Sequence, residues 1–173
     1  LSLEKERVAR TPYAAIAAES PEHALTEAQK RAVESICASD KTVQLLHGVT
    51  GSGKTEIYLT LIAKTLKEGK SAIFLVPEIA LTPQMFKQLR ARFGESAAIL
   101  HSGLSAGEKF DEWWRLRMGE AKIAIGARSA VFAPVENVGV IVMDEEHDQS
   151  YVSESSPRYR TEEIARLRAE YNG

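Results

Sequence analysis

The stretch VQLLHGVTGSGKTEIYL, Val43 to Leu59, changes character twice. Val43-Gln44-Leu45-Leu46 is an apolar run of strand length, Gly48, Gly51 and Gly53 interrupt it, and apolar residues return at helical spacing after Lys54. The middle, Gly48–Thr55, matches G-x-x-x-x-G-K-[ST]. Glycines let the backbone aim several N–H groups at one anion. A helix opening near Lys54 adds the positive end of its dipole at the same point. The strand–turn–helix context separates this pattern from a chance glycine-rich turn. It reads as a cradle for nucleotide phosphates, with Gly48, Gly51, Ser52 and Gly53 supplying backbone. Lys54 would reach the β- and γ-phosphates, and Thr55 would offer its hydroxyl to Mg²⁺.

Outward from this point, apolar runs alternate with helical patterns. Strands are expected at 43–46, 72–76, 97–100, 122–125 and 138–143, and helices at 26–38, 54–68, 82–93, 105–118 and 161–171. Gly69, Gly94 and Gly119 lie near helix ends, where glycine suits the left-handed closing turn. Such alternation implies an α/β fold, a parallel sheet sandwiched by helices. Ligands in these sheets bind beyond the carboxyl ends of the strands. Three unusual stretches, 48–55, 77–83 and 144–147, each follow a strand directly. Residues 1–24 read as an N-terminal arm or linker and 25–173 as one domain.

The 173 residues suffice for one domain with a sizeable core. A net charge of −2 provides no global field for nucleic acid or membrane, so any nucleic-acid contact must rest on local groups. Cys37 is the single cysteine, which excludes a disulfide framework and a multi-cysteine zinc site within the chain. It falls on the apolar stripe of the first helix and reads as a small core residue. With no 18-residue apolar run and no signal peptide, the expectation is a soluble, intracellular protein without membrane contact. The first residue is Leu, and the chain stops just after a helical pattern, as expected of a piece of something longer.

Val138–Met143 is apolar, and Asp144-Glu145-Glu146-His147-Asp148 follows at once. A phosphate cradle needs a carboxylate at a strand end, facing the metal. Asp144 stands at that point, and Mg²⁺ keeps several waters, one of which can mediate the contact. Glu145 is then placed to orient or deprotonate the attacking water. Taken alone, the run also fits a solvated loop of acids; its pairing with the phosphate loop favours the metal and water roles. His147 has no second His or Cys at ligand spacing, so no zinc is expected.

Together with LVPEIALTPQ (75–84), LHSGLS (100–105), IGARSAVFAPVENVGVIVMDEEHDQSY (125–151) and PRY (157–159), these motifs resemble the first motor domain of a superfamily 2 helicase. The DEEH form of the acidic motif resembles the PriA-type replication-restart helicases of bacteria. The resemblance covers roughly residues 25–160. It implies a RecA-like P-loop NTPase fold using ATP and Mg²⁺, and a motor moving 3′ to 5′ on single-stranded or forked DNA. Implied partners are the remaining helicase domains, the primosome and single-strand-binding proteins, in the bacterial cytoplasm at replication forks on the nucleoid.

Further roles follow from the same resemblance. Gln29 matches a glutamine that reads adenine, an edge offering both donor and acceptor to an amide; the alternative is a helix-surface glutamine. Pro77, Thr82, Arg128 and Ser129 match segments lining the single-strand path, where phosphate contacts hold position without reading sequence. Pro77 and Pro83 also suit breakers that close a strand and open a helix, and Arg128 also suits a salt bridge between motifs or a plain surface position. Tyr151 to Tyr159 matches an aromatic-rich loop that senses DNA, so Tyr151, Arg158 and Tyr159, with Glu146 and His147, would couple DNA to ATP state. Two ordinary half-buried tyrosines are the alternative, since only two aromatics remain and Arg160 replaces the usual histidine. Later motifs and the second motor domain fall beyond residue 173, so this piece should turn over ATP poorly and unwind nothing. The competing functions are a nucleotide- and DNA-binding module without turnover and another superfamily 2 translocase on DNA or RNA. Trp113 and Trp114 are expected to split, one packing inward, and His101 to be a polar loop residue.

Overall fold

The structure, a computed structural model, describes residues 24–49 and 51–172. The expected arm therefore lies, Ala24 apart, outside the described residues, as does Thr50 within the phosphate loop. The elements are α1 (Glu27–Ala38), α2 (Lys54–Lys67), β1 (Ser71–Leu75), α3 (Pro83–Phe93), β2 (Ala97–Leu100), α4 (Ala106–Arg117), β3 (Ile123–Gly126), β4 (Val138–Met143), a short hairpin β5 (Val152–Ser153) and β6 (Tyr159–Arg160), and α5 (Thr161–Asn172).

Local chemistry sets the helix starts. Thr26 and Gln29 close a capping box on α1, and Ser105 and Glu108 close another on α4. Thr82 accepts from Met85 N–H while Pro83 opens α3, where its missing N–H costs nothing. Each cap satisfies backbone donors that a helix leaves unpaired.

β1–β4 form one parallel sheet in the order β2-β3-β1-β4. β1 is buried throughout, and its side chains alternate between two cores, as the strand pleat requires. Ala72, Phe74 and Val76 join Tyr58, Leu59 and Ile62 of α2 and Leu89 of α3. Ile73 and Leu75 join Leu116 of α4, with Ile164 and Ala165 of α5 packed against them. Helices thus cover both faces, as the alternation of the sequence implies.

β2 is an edge strand, and α4 fastens it. The buried Glu112 carboxylate accepts from Ile99 N–H at 2.8 Å and takes Arg115 at 2.7 Å. Arg115 also donates to Glu95, which pairs with buried Arg90 at 3.0 Å. Buried charges are tolerated when paired and hydrogen-bonded in this way.

Three expectations need correction. Residues 43–46 form no strand: Val43 is 50% and Leu45 83% exposed, and no strand of the sheet pairs with them. An apolar run becomes a strand only where a neighbour offers its backbone groups; here Leu46 packs against Val33 and Ile57, and the Gln44 amide caps Ile36 C=O. Cys37 is exposed: Val33, one turn earlier on the same face, is buried, but Cys37 lies in the last turn of α1, where its sulfur meets Lys64 Nζ at 3.5 Å in place of the core. Trp113 and Trp114 do not split; both are exposed, and Trp114 stacks on Phe110 instead.

No helix among the described residues is long and apolar enough to cross a membrane.

Candidate functional site

The phosphate loop and the acidic turn meet at the carboxyl end of the sheet. Gly51 and Gly53 both have φ of 79°, in the left-handed region that suits glycine. A Cβ at Gly53 would stand 2.3 Å from the Gln29 amide nitrogen and displace that flexible side chain. α2 begins at Lys54, whose Nζ donates to Gly48 C=O at 2.9 Å and pairs with Glu145 Oε1 at 3.2 Å. Thr55 is exposed at the start of the helix.

Gln29 is tied down on both sides. Its carbonyl oxygen accepts from Thr26 N–H at 2.8 Å, and its NH₂ reaches Ser52 C=O and Gly53 C=O at 3.4 and 3.3 Å. The amide thus links the start of α1 to the backbone of the phosphate loop.

At the end of β4, Asp144 N–H continues the ladder to Leu75 C=O at 2.9 Å. Asp144 Oδ1 accepts from Glu145 N–H, and Glu145 takes a φ of 46°. This left-handed step in a non-glycine residue is a sparsely populated conformation of the kind that collects at functional sites. It turns Glu145 toward Lys54, while the other carboxylate oxygen lies 3.8 Å from His147 Nε2. Glu146 and His147 are exposed. Asp144 is half-buried, and burial first, then the neighbouring Glu145, raises its carboxyl above the ordinary aspartate range.

That shift carries a stability consequence. A carboxyl with a raised folded pKa binds its proton more readily folded than unfolded. Stability therefore falls as pH rises from the ordinary aspartate range through the folded value, and the deficit is fully present at neutral pH. Asp144→Asn should melt higher than the parent at neutral pH, by about 2 °C. The difference should close as the pH drops below the aspartate range. Thermal melts across pH check this, and a lower melting point at neutral pH would refute it.

Two tyrosines flank Asp144. Tyr58 of α2 is buried; burial first, then the Asp144 carboxylate, pushes its phenol up to about 12. Sequence reading missed Tyr58, although its place one turn after Lys54 puts both on one face of α2. Tyr151 donates to Asp144 C=O at 2.8 Å and is 3% exposed. The stacking role expected of Tyr151 is therefore corrected: its ring belongs to the core, and its hydroxyl braces the acidic turn.

The segment after Tyr151 leads to the DNA-path candidates. Thr161 Oγ1 donates to Tyr151 C=O at 2.8 Å, and β5 pairs with β6 through Val152 with Arg160 and Ser153 with Tyr159. Arg128 donates to Val152 C=O and lies over the Tyr159 ring, 5.9 Å from its centroid. Phe132, unforeseen from sequence, meets Tyr159 edge-on at 5.1 Å and is 52% exposed. Among the described residues Arg128 is thus neither a free surface arginine nor a salt-bridge partner, but a clamp on the hairpin. Arg158 and Ser129 are exposed. Pro77 is buried at the end of β1, and Thr82 uses its oxygen to cap α3. Direct contact of Pro77 with a ligand is corrected by that burial; it acts as the breaker ending β1.

The donor set suits Mg²⁺: a hydroxyl at Thr55 and a carboxylate at Asp144 are hard oxygen groups, and the raised Asp144 beside Glu145 is a pair of acids that a cation would relieve.

Comparison with known proteins bears on this arrangement. Residues 26–169 match the DEAD/DEAH box helicase family. The chain is 54% identical over 152 residues to the replication restart protein PriA of Bacillus subtilis (strain 168), covering 86% of this chain and 19% of that protein. It is 49% identical over 156 residues to the protein of the same name from Synechocystis, covering 89% and 18%, and 47% identical over 147 residues to that from Treponema pallidum, covering 84% and 22%. The chain therefore spans about a fifth of the length of these curated relatives. Its phosphate loop, its acidic turn and the match across nearly the whole described region agree: the chain belongs to the DEAD/DEAH box helicase family.

Proposed function

We propose that this chain is the ATP-binding motor domain of a DNA helicase that moves 3′ to 5′ on single-stranded or forked DNA and acts in replication restart. The observation that carries the reading is the convergence of Lys54 and Glu145, ninety-one residues apart, at 3.2 Å at the carboxyl end of the sheet. The restart setting and the direction of travel rest on the likeness to relatives named for replication restart.

In this reading Gly48, Gly51, Ser52 and Gly53 aim backbone N–H groups at the phosphates, and Lys54 leaves Glu145 to take the β- and γ-phosphates. Thr55 and Asp144 hold Mg²⁺, which when bound neutralises charge on the phosphate oxygens. Glu145, released from Lys54, orients the attacking water. Gln29 reads adenine after exchanging its loop carbonyls for the base. Ser129, Arg128, Arg158 and Tyr159 meet the DNA backbone and bases, and Thr82 adds its hydroxyl. Tyr151 joins that surface to the nucleotide, since a shift of the hairpin pulls on Asp144 C=O through its hydroxyl. Glu146 and His147, exposed beside Glu145, belong to the same junction. The remaining helicase domains, the primosome and single-strand-binding proteins are its proposed partners, in the bacterial cytoplasm at replication forks.

A second reading is a nucleotide-binding module without turnover, favoured by the Lys54–Glu145 pair, which occupies the residue meant for water. ATP turnover with and without single-stranded DNA separates the two. Stimulation by DNA defeats the module. The double variant Arg128→Ala, Tyr159→Ala should cut that stimulation about tenfold, and more than it cuts DNA-free turnover, given ~1–3 kcal/mol per stacked base. Unchanged stimulation would return both residues to a structural role.

A further inference from the structure

α5 opens at Thr161, directly after the strand β6 that carries Tyr159. Arg168 lies two turns further along this helix and is half-buried, and its guanidinium reaches a distant stretch of chain. Its Nη1 donates to Val131 C=O and Ala133 C=O, both at 2.7 Å, and its Nη2 to Val135 C=O at 3.1 Å. The planar fork of arginine suits several acceptors held at fixed spacing. Val131, Ala133 and Val135 bury their side chains in one core of the sheet, whereas Phe132 between them is exposed. The gripped carbonyls of Val131 and Ala133 thus stand on either side of Phe132. The Phe132 ring meets Tyr159 edge-on, and Arg128 lies over the same Tyr159 ring. α5 therefore holds both sides of this contact: Tyr159 through the chain at its own start, and Phe132 through Arg168. Core packing places the buried side chains, but the rotation of the peptide groups flanking Phe132 is set by the hydrogen bonds to their oxygens.

We propose that Arg168 is a positioning residue that locks the segment Arg128–Phe132 to the hairpin, so that Arg128, Phe132 and Tyr159 meet single-stranded DNA as one preformed face. The inference rests on the reading of Arg128 and Tyr159 as DNA-facing residues. A surface fixed beforehand avoids the ordering cost that association otherwise carries. Phe132 adds a second ring beside Tyr159, and unpaired bases stack on such rings without regard to sequence. A guanidinium that only satisfied three carbonyls would matter to the melting temperature and not to the response to DNA.

The test is ATP turnover by the full-length polypeptide, titrated with an oligothymidylate and repeated without DNA. In Arg168→Met, which keeps an apolar stem and removes every donor, the half-stimulating DNA concentration should rise about tenfold, with DNA-free turnover within about twofold of the parent. Arg168→Lys keeps the charge but not the fork, and the rise should be about threefold. In an Arg128→Ala, Tyr159→Ala background, Arg168→Met should add less than about twofold, since the face it holds is already gone. Half-stimulation within about twofold of the parent in Arg168→Met overturns the proposal, as does an equal rise in the double-variant background. A matching loss of DNA-free turnover would make Arg168 a prop of the core, and also overturns it. If Arg168→Met does not fold, the lysine variant decides: a rise of about threefold that vanishes in the double-variant background supports the proposal, and an unchanged value overturns it. A parent whose turnover does not respond to DNA fails differently, because it removes the DNA-facing reading of Arg128 and Tyr159 itself.

Discussion

ATP turnover should fall by about 10²–10⁴-fold when Glu145 becomes glutamine in the full-length polypeptide, the range that a positioned general base contributes. Nucleotide binding should survive and tighten slightly. Glutamine keeps the shape of the side chain and its left-handed backbone step but cannot accept a proton. It also ends the ion pair with Lys54, so the lysine no longer has to leave a carboxylate before meeting phosphate. That pair is partly exposed, and such pairs contribute about 1 kcal/mol or less, so affinity should rise by no more than about fivefold. Single-turnover hydrolysis and equilibrium binding of a fluorescent analogue measure the two effects separately. Binding lost together with turnover would show that Glu145 shapes the turn and does not act on water.

The second large effect is expected for Lys54→Ala. Truncating one partner of a close charged contact costs roughly 2–5 kcal/mol, so affinity for ATP should drop by about 30-fold or more. Lys54 has a second task visible in the geometry: its bond to Gly48 C=O ties the two ends of the phosphate loop together at 2.9 Å. Alanine removes this tie, so the loop loses both its cation and an internal restraint. Calorimetric titration with ATP checks the affinity, and a variant that binds as tightly as the parent would remove the site assignment. Because Lys54 is on the first turn of α2 and outside both cores, the melting temperature should change little.

What could be read from the sequence was what is decided locally. The left-handed closures at Gly69, Gly94 and Gly119, the Pro83 start of α3 and the strands β1 to β4 all follow from short local patterns. The acid-after-strand motif belongs to this class; the phosphate loop keeps its glycine turn and its helix, but the strand expected before it does not form. The misreadings involve partners far along the chain. Val43–Leu46 has strand composition, yet no strand of the sheet pairs with it. Tyr151 sits in a motif rich in polar residues, and only the fold reveals that its hydroxyl turns back to Asp144. Tyr58 was invisible because its importance lies across eighty-six positions, in an acid that α2 meets only once β4 is in place. Arg128 was expected on the DNA path or in a salt bridge between motifs, and its partners in the fold, a carbonyl and an aromatic face, cannot be deduced from charge.

The buried Glu112 has a bearing on how the molecule behaves in company. An outermost strand normally presents unpaired backbone groups on which another polypeptide can template itself. On β2 the Ile99 N–H already lies against a carboxylate that Arg115 holds rigid. An incoming chain would have to break that contact and leave the buried acid to Arg115 alone, a cost of about 1–3 kcal/mol. β2 is therefore a closed border, and sheet-to-sheet polymerisation through this side is disfavoured even at the high local concentrations met during synthesis.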